Sequence, residues 1–442
     1  MYVNYLPAIY FLHIPKTAGT SFRIWLESKI PPGRNIEAWH LVDLDALPDA
    51  TIVNGRLAAG HFGWRFMERA GALGVSYEPI TFLRDPVELA LSGMKYASTV
   101  QDVDLAALPA EVRQQSMVAV DVARSGRLCG ELAAMAQAPM PVDGHLGDIP
   151  AEYQPFLNLQ TRFLSQNGTE AVELPPLSIA DLNTAKRRLE GMRFFGLVEE
   201  MDYSAVLFAA AFGLPLESMG ERLNVSETPA AMFPEQMRRW QELAHPLDVK
   251  LYRFARELFW SRIRKLAEEL GLPHDATPGK FAEGLSESFV KIDRGVMRLS
   301  AGQLAMDEDI LTPGFNRPEF FEPQRRWIRW SGPATRSSVF LPLLRSGPLR
   351  VEFEIALTTT LMVRDQMSLQ TSGEMTVDTL FRQLPNGDWV LVKSALLPAE
   401  AAFSDNQYTE FRFDVPEMTT LKTSQKVSFA LGEIRISPVL IE

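Results

Sequence analysis

The chain has 442 residues, of which 46% are hydrophobic and 22% charged, with a formal net charge of −11. That length exceeds one ordinary domain and predicts two or three, and the composition is that of a soluble globular chain with a sizeable core. The acidic balance argues against a nucleic-acid binder, whose affinity rests on Lys and Arg neutralising phosphates, while leaving room for a local basic cleft.

Residues 9–14 form a short, nearly continuous apolar run, as in a buried parallel strand. After a turn over Pro15–Thr20, Phe22, Trp25, Leu26 and Ile30 recur at helical spacing until Pro31-Pro32-Gly33 stops them. A second buried strand fits 79–84; Asp85-Pro86 then opens a helix carrying Val87, Leu91 and Met94. A further strand fits 193–198, with helices at about 203–213 and 234–270, the latter burying Trp240, Leu243, Leu251, Phe254, Leu258 and Phe259. Strands alternating with helices predict an α/β fold, a parallel sheet flanked by helices.

Beyond about residue 280 the pattern changes to period two, at Arg350–Ala356 and Thr409–Val415. Pro385-Asn386-Gly387-Asp388 reads as a hairpin turn, and the region as an antiparallel β-sandwich. The boundary falls within 275–310, with Ala276–Gly279 as the start of a linker, giving domains at 1–280 and 295–442. The single cysteine, Cys129, excludes an intrachain disulfide and offers no cluster for structural zinc. No basic segment leads into a long apolar run and no stretch of about 18 apolar residues occurs, so the expected location is the cytoplasm, without membrane insertion. Nothing in the sequence signals an oligomeric state.

The stretch His-Ile-Pro-Lys-Thr-Ala-Gly-Thr-Ser-Phe from His13 joins the first strand to its helix. A helix start of small residues presents unpaired N–H groups to one point, and the helix dipole adds positive potential. Such a place binds phosphate or sulfate. Lys16 adds a full charge, Gly19 permits close approach of an anion, and Thr17, Thr20 and Ser21 offer hydroxyls. The triphosphatase loop G-x-x-x-x-G-K-[ST] does not fit, because the lysine precedes the glycine by three residues.

This order resembles the 5′-phosphosulfate loop of the carbohydrate sulfotransferases, the family that contains heparan sulfate 2-O-sulfotransferase. Ile-Thr-Phe-Leu-Arg-Asp-Pro from Ile80 is similar to that family's 3′-phosphate element, with Arg84 at a strand end and Ser92 on the following helix. An arginine fork there can hold phosphate bidentately. The chain departs from the family at Leu89, where an arginine is common, and at Gly93, where an aromatic is common.

The resemblance implies 3′-phosphoadenosine 5′-phosphosulfate as donor, a carbohydrate or glycolipid hydroxyl as acceptor, and no metal. It implies His61, after Gly60, as the general base, with His13 as the fallback, and Lys16 as the group that stabilises the leaving oxygen. Asn158–Leu164 resembles a family segment near the acceptor or cofactor, so Arg162 either binds an anionic acceptor or caps a helix. Glu199, in Gly-Leu-Val-Glu, either orients the base or an acceptor hydroxyl or serves as a helix N-terminal carboxylate. Asn224 and Ser226 stand where relatives cover the nucleotide. Two other readings compete: an ATP-dependent kinase or hydrolase using the same loop, and a non-catalytic glycan-binding protein. In the second half, Arg325, Arg326 and Arg329 interleave with Trp327 and Trp330; the favoured reading is a strand with a Trp in the core and arginines in solvent. The segment loosely resembles β-sandwich modules appended to bacterial glycan-modifying enzymes.

Overall fold

A computed structural model describes residues 6–99, 157–168, 175–215, 241–291, 297–308, 310–371, 373–399, 407–421 and 425–439. The first half contains β1 (Ile9–Leu12), α1 (Gly19–Glu27), β2 (Asn35–Ile36), α2 (Leu41–Ala46), α3 (Asp49–Asn54) and β3 (Leu57–Gly60). It continues through α4 (Arg65–Ala72), β4 (Glu78–Leu83), α5 (Pro86–Thr99), α6 (Leu159–Ser165), α7 (Ile179–Gly191), β5 (Phe194–Leu197), α8 (Met201–Phe212), α9 (Pro246–Glu269) and α10 (Pro278–Lys291). The five strands form a parallel sheet in the order β2-β3-β1-β4-β5.

β1 is the central strand, and all four of its residues are buried. The aromatic side chains that the apolar runs supply interlock behind it. Phe22 of α1 meets Phe11 at 5.0 Å, Phe82 at 4.8 Å and Phe208 at 5.7 Å, each edge to face. Such pairs add about 0.5–1.5 kcal/mol each beyond their burial, so α1 is firmly seated and the loop before it is fixed at both ends.

Ala276–Gly279 does not open a linker. Thr-Pro-Gly places a proline at the first position of α10, where its fixed φ suits a helix start. Phe281, Leu285 and Phe289 of α10 then join the buried cluster of the first half. Phe289 also packs on Phe340 and Tyr408 of the second half, each at 5.0 Å.

The second half is antiparallel. It comprises β6 (Gly302–Ala305), β7 (Glu319–Phe321), β8 (Arg326–Trp330), β9 (Arg336–Leu341), β10 (Leu349–Thr358), α11 (Leu361–Gln366) and β11 (Ser368–Gln370). After them come β12 (Thr376–Gln383), β13 (Trp389–Leu397), β14 (Thr409–Asp414), β15 (Thr419–Thr420), β16 (Lys426–Val427) and β17 (Phe429–Pro438). One sheet runs β12-β13-β10-β17-β8-β7 with β6 on β17, and a second runs β11-β14-β9. Phe353 of the first meets Phe411 and Phe413 of the second at 4.9 and 5.2 Å.

The arginines of β8 are not in solvent. Arg329 is 3% exposed and donates to the carbonyls of Met306 and Glu308 and to Thr312 Oγ1. Arg326 pairs with the buried Glu354, while Trp327 and Trp330 are only half-buried. Met306, Glu308 and Thr312 supply the acceptors that keep Arg329 inside, while Trp327 and Trp330 each pack partly against a buried cluster. Among the described residues, no helix is long and apolar enough to cross a membrane.

Candidate active site

Because β1, β3, β4 and β5 are parallel, their carboxyl ends open on one edge of the sheet, where open α/β sheets bind ligands. β1 delivers His13 and Lys16, β3 delivers His61, β4 delivers Arg84 and β5 delivers Glu199.

The turn after β1 is unusual. Lys16 and Ala18 have φ of 67° and 58°, a region non-glycine residues seldom enter. Each such residue costs about 1–3 kcal/mol and persists only where its surroundings over-determine it. Here three contacts do so. Thr17, fully buried, donates its hydroxyl to the Ile14 carbonyl at 2.8 Å. Arg84 Nη1 donates to the Lys16 carbonyl at 3.0 Å. The His13 ring lies so close to Gly19 that a Cβ there would sit 2.0 Å from His13 Cδ2 and Nε2. Gly19, expected to make room for an anion, here makes room for an imidazole. Thr20 is exposed and Ser21 half-buried on the first turn of α1.

Arg84 and Lys16 therefore share one corner. Burial and the Arg84 guanidinium hold the Lys16 ammonium below its ordinary value. Two cations so placed repel each other, and an anion between them would relieve the repulsion; the residues present fit a phosphate or sulfate group. Ser92 lies on α5 nearly two turns after Pro86, half-buried.

His61 is half-buried and stacks on His13 with ring centroids 4.7 Å apart. Its Nδ1 is 2.9 Å from the His13 carbonyl. A carbonyl oxygen only accepts, so Nδ1 carries the proton and Nε2 carries the lone pair. His13 itself is 5% exposed. Burial first, then His61, Arg23 and Lys16, hold it well below the usual imidazole range and so neutral. Among the described residues its Nδ1 has no hydrogen-bond partner. Trp39 flanks both histidines, with the Arg23 guanidinium 3.6 Å from its ring centroid.

Sequence reasoning missed the residue that fixes Arg84. Gln160 of α6 accepts from the Arg84 N–H and donates to its carbonyl, both at 2.9 Å, as a neighbouring strand would. Gln160 is in turn held by Asp248 of α9. The Gln160 and Thr161 amides donate to its carboxylate at 3.0 and 2.7 Å, and the Thr161 hydroxyl adds a third bond at 2.7 Å. Burial pushes Asp248 up to about 6, against the pull of these donors. Beside it the Asn158 N–H donates to His245 Nδ1 at 3.0 Å, and burial lowers His245 to about 4. The signal was present in Asn-Leu-Gln-Thr-Arg; the partners lie 76 and 88 residues away.

The other expected residues fall elsewhere. Arg162 is 2% exposed, and its Nη1 donates to Gln166 and to the Pro175 carbonyl, both at 3.0 Å, so it is engaged within the fold. Glu199 accepts from the Asp85 N–H at 2.9 Å and from the Tyr252 hydroxyl at 2.5 Å, which anchors the Arg84 loop. Asp85 Oδ1 caps α5 through the Val87 and Glu88 amides at 3.0 and 3.2 Å. A cleft of about 550 Å³ lies beside Asp85, lined by Tyr252, Arg253, Arg256, Trp260 and Arg264 among others. Lys16 and His61 do not line it, so the corner that Lys16 shares with Arg84 is not that cleft. Asn224 and Ser226 lie outside the described residues.

Part of the chain is similar to a known enzyme. It is 38% identical over 84 residues to heparan-sulfate 6-O-sulfotransferase 2 of Danio rerio, covering 19% of this chain and 18% of that protein. The chain thus matches less than a fifth of the length of that relative, which is a 6-O rather than a 2-O enzyme. No family model matches. A solved family GH115 4-O-methyl-α-glucuronidase with specificity for decorated arabinogalactans aligns at 8% identity and a TM-score of 0.18, over 92% of this chain and 50% of that one.

Proposed function

We propose that the chain is a sulfotransferase that moves the sulfuryl group of 3′-phosphoadenosine 5′-phosphosulfate to a carbohydrate hydroxyl. The observation that carries the reading is the bond from Arg84 to the Lys16 carbonyl, 3.0 Å long, which brings the Lys16 and Arg84 loops to one corner. The partial similarity to a heparan-sulfate sulfotransferase supports the same class.

The donor, when bound, supplies the sulfuryl group and a phosphate leaving group. Lys16, Thr17, Gly19, Thr20 and Ser21 would hold its 5′ end through the ammonium, the hydroxyls and the amides that open α1. Arg84 and Ser92 would hold the 3′-phosphate. His61 takes the acceptor proton at Nε2, and the bond from its Nδ1 to the His13 carbonyl, 2.9 Å long, keeps the ring in the basic tautomer. That carbonyl also stabilises the imidazolium once formed. His13, the fallback base, is buried and held neutral, and so is the poorer candidate. Lys16 places positive charge where the leaving oxygen develops its own.

The test is transfer of radiolabelled sulfate from the donor across oligosaccharide, glycolipid and small glycoside acceptors. His61→Ala should lower turnover by about 10²-fold or more while the affinity for adenosine 3′,5′-bisphosphate, read by calorimetry, stays unchanged. Lys16→Ala and Arg84→Ala should weaken that affinity. Tighter binding of ATP with Mg²⁺ than of the bisphosphate would overturn the reading in favour of a kinase or hydrolase.

A further inference from the structure

The seven-stranded sheet of the second half ends at β12, and among the described residues no strand pairs with its outer edge. Of its eight residues only Arg382 is even half-buried. Val377, Leu380 and Phe381 are exposed, Phe381 by 60%. Proteins usually blunt such an edge with lysines, a proline, a bulge or a covering loop. β12 has no lysine and no proline, and it pairs with β13 in unbroken register from Thr376↔Leu396 to Gln383↔Trp389.

The turn fixes which backbone groups face outward. The Leu384 N–H donates to the Asp388 carbonyl at 2.7 Å, and the Leu384 carbonyl accepts from Gly387 at 2.9 Å, so the polar groups of Leu384 point toward β13. Antiparallel pairing alternates. The N–H and C=O groups of Gln383, Phe381, Thr379 and Val377 therefore point away from the sheet.

We propose that this edge is the interface between two copies of the chain, joined antiparallel along β12 about a two-fold axis at Leu380. The pattern of outward groups allows an axis at Leu380 or at its neighbours on the strand. An axis at Thr379 sets Asp378 against Leu380, and one at Phe381 sets Arg382 against Leu380. An axis at Asp378 or Arg382 sets a charge against its own copy. Only the axis at Leu380 sets Asp378 opposite Arg382 of the second copy, twice, with Leu380 against itself. These are non-hydrogen-bonded positions, where side chains come closest. Arg382 already bonds Glu352 on that face at 2.5 Å, and Asp378 makes no ion pair among the described residues, so the arriving carboxylate completes a charge alternation. The join adds about eight backbone hydrogen bonds and merges two sheets into one, a closed isologous contact that leaves no β12 edge exposed.

The test is the mass of the full chain by light scattering and sedimentation over a concentration series. The expected species has twice the mass of one chain. Leu380→Lys, an exposed position whose lysines would face each other, should give the mass of one chain. Asp378→Arg should raise the dissociation constant at least about tenfold. In the unmodified protein the amides of Val377, Thr379, Phe381 and Gln383 should exchange with deuterium more slowly as concentration rises. A single-chain mass up to the solubility limit, or a dimer indifferent to Leu380→Lys, overturns the proposal. A dissociation constant unchanged by Asp378→Arg overturns the axis at Leu380.

Discussion

Replacing Gly19 by alanine tests the geometry of the turn between β1 and α1. Gly19 opens α1 and is not among the positive-φ residues. On backbone grounds alone an alanine there should stabilise the protein by about 0.4–1 kcal/mol. The structure predicts the opposite sign. The new Cβ would lie 2.0 Å from two atoms of the His13 ring, whereas carbon atoms pack at about 3.5–4.0 Å, so the ring must retreat by roughly 1.5 Å. It has nowhere to go, being stacked on Phe11 at 5.3 Å and on His61 at 4.7 Å. Overpacking of this kind costs about 1–3 kcal/mol, and each kcal/mol lowers the melting temperature of a domain of roughly 150–250 residues by about 2–4 °C. Calorimetric melting of Gly19→Ala, His13→Ala and the double variant closes a cycle. The cost of Gly19→Ala should fall by about 1 kcal/mol or more once His13 is alanine. A Gly19→Ala protein that melts higher than the parent, or a cost that is the same in both backgrounds, would refute the close approach of ring and glycine.

Gln160→Ala leaves the N–H and carbonyl of Arg84 without their partners, which should cost about 1–3 kcal/mol of stability in urea unfolding and weaken binding of adenosine 3′,5′-bisphosphate. Unchanged affinity would mean that the clamp does not position Arg84. Acid stability should reflect two opposed groups. His245, lowered to about 4, refuses a proton that the unfolded chain accepts below the ordinary imidazole value of 6.5, so it removes stability as pH falls from 6.5 to 4. Asp248, raised to about 6, accepts a proton that the unfolded chain refuses until 3.8, so it adds stability as pH falls from 6. Asp248→Asn removes the second effect and should steepen the acid loss between those values by up to about 1.4 kcal/mol per pH unit; an unchanged slope would contradict the assignment. Finally, affinity for the bisphosphate should fall as pH rises through the lowered value of Lys16, because the anion binds the ammonium form, and calorimetry in buffers of different ionisation enthalpy should register proton uptake. No uptake and no fall would separate Lys16 from the bound anion.

What the sequence made legible was local. The strand at β1, its turn and α1 announce themselves through an apolar run, small residues and then helical spacing, and the same holds at Leu83-Arg84-Asp85-Pro86. The hairpin of β12 and β13 followed from Pro-Asn-Gly. What escaped was every feature made by residues distant in the chain. Gln160 reads as one polar residue in a helix, and only folding sets its amide across the backbone of Arg84. Asp248 is one acid among many within the expected helix at about 234–270, yet it is fully buried because two amides and a hydroxyl from α6 converge on it. Periodicity cannot report this, since an aspartate has the same polarity whether water or an N–H satisfies it. Thr-Pro-Gly at the start of α10 misled for the converse reason: proline and glycine punctuate both linkers and helix starts, and Phe281, Leu285 and Phe289 beyond them decide between the two. The left-handed φ of Lys16 and Ala18 was equally silent, since neither residue type favours it. That silence locates the site. A sequence specifies its loops through residues suited to them, and where a turn takes residues unsuited to it, tertiary bonds must hold the strain. At the Lys16 loop those bonds come from Arg84 and Thr17, the first of them being the group that would bind the far end of the same ligand.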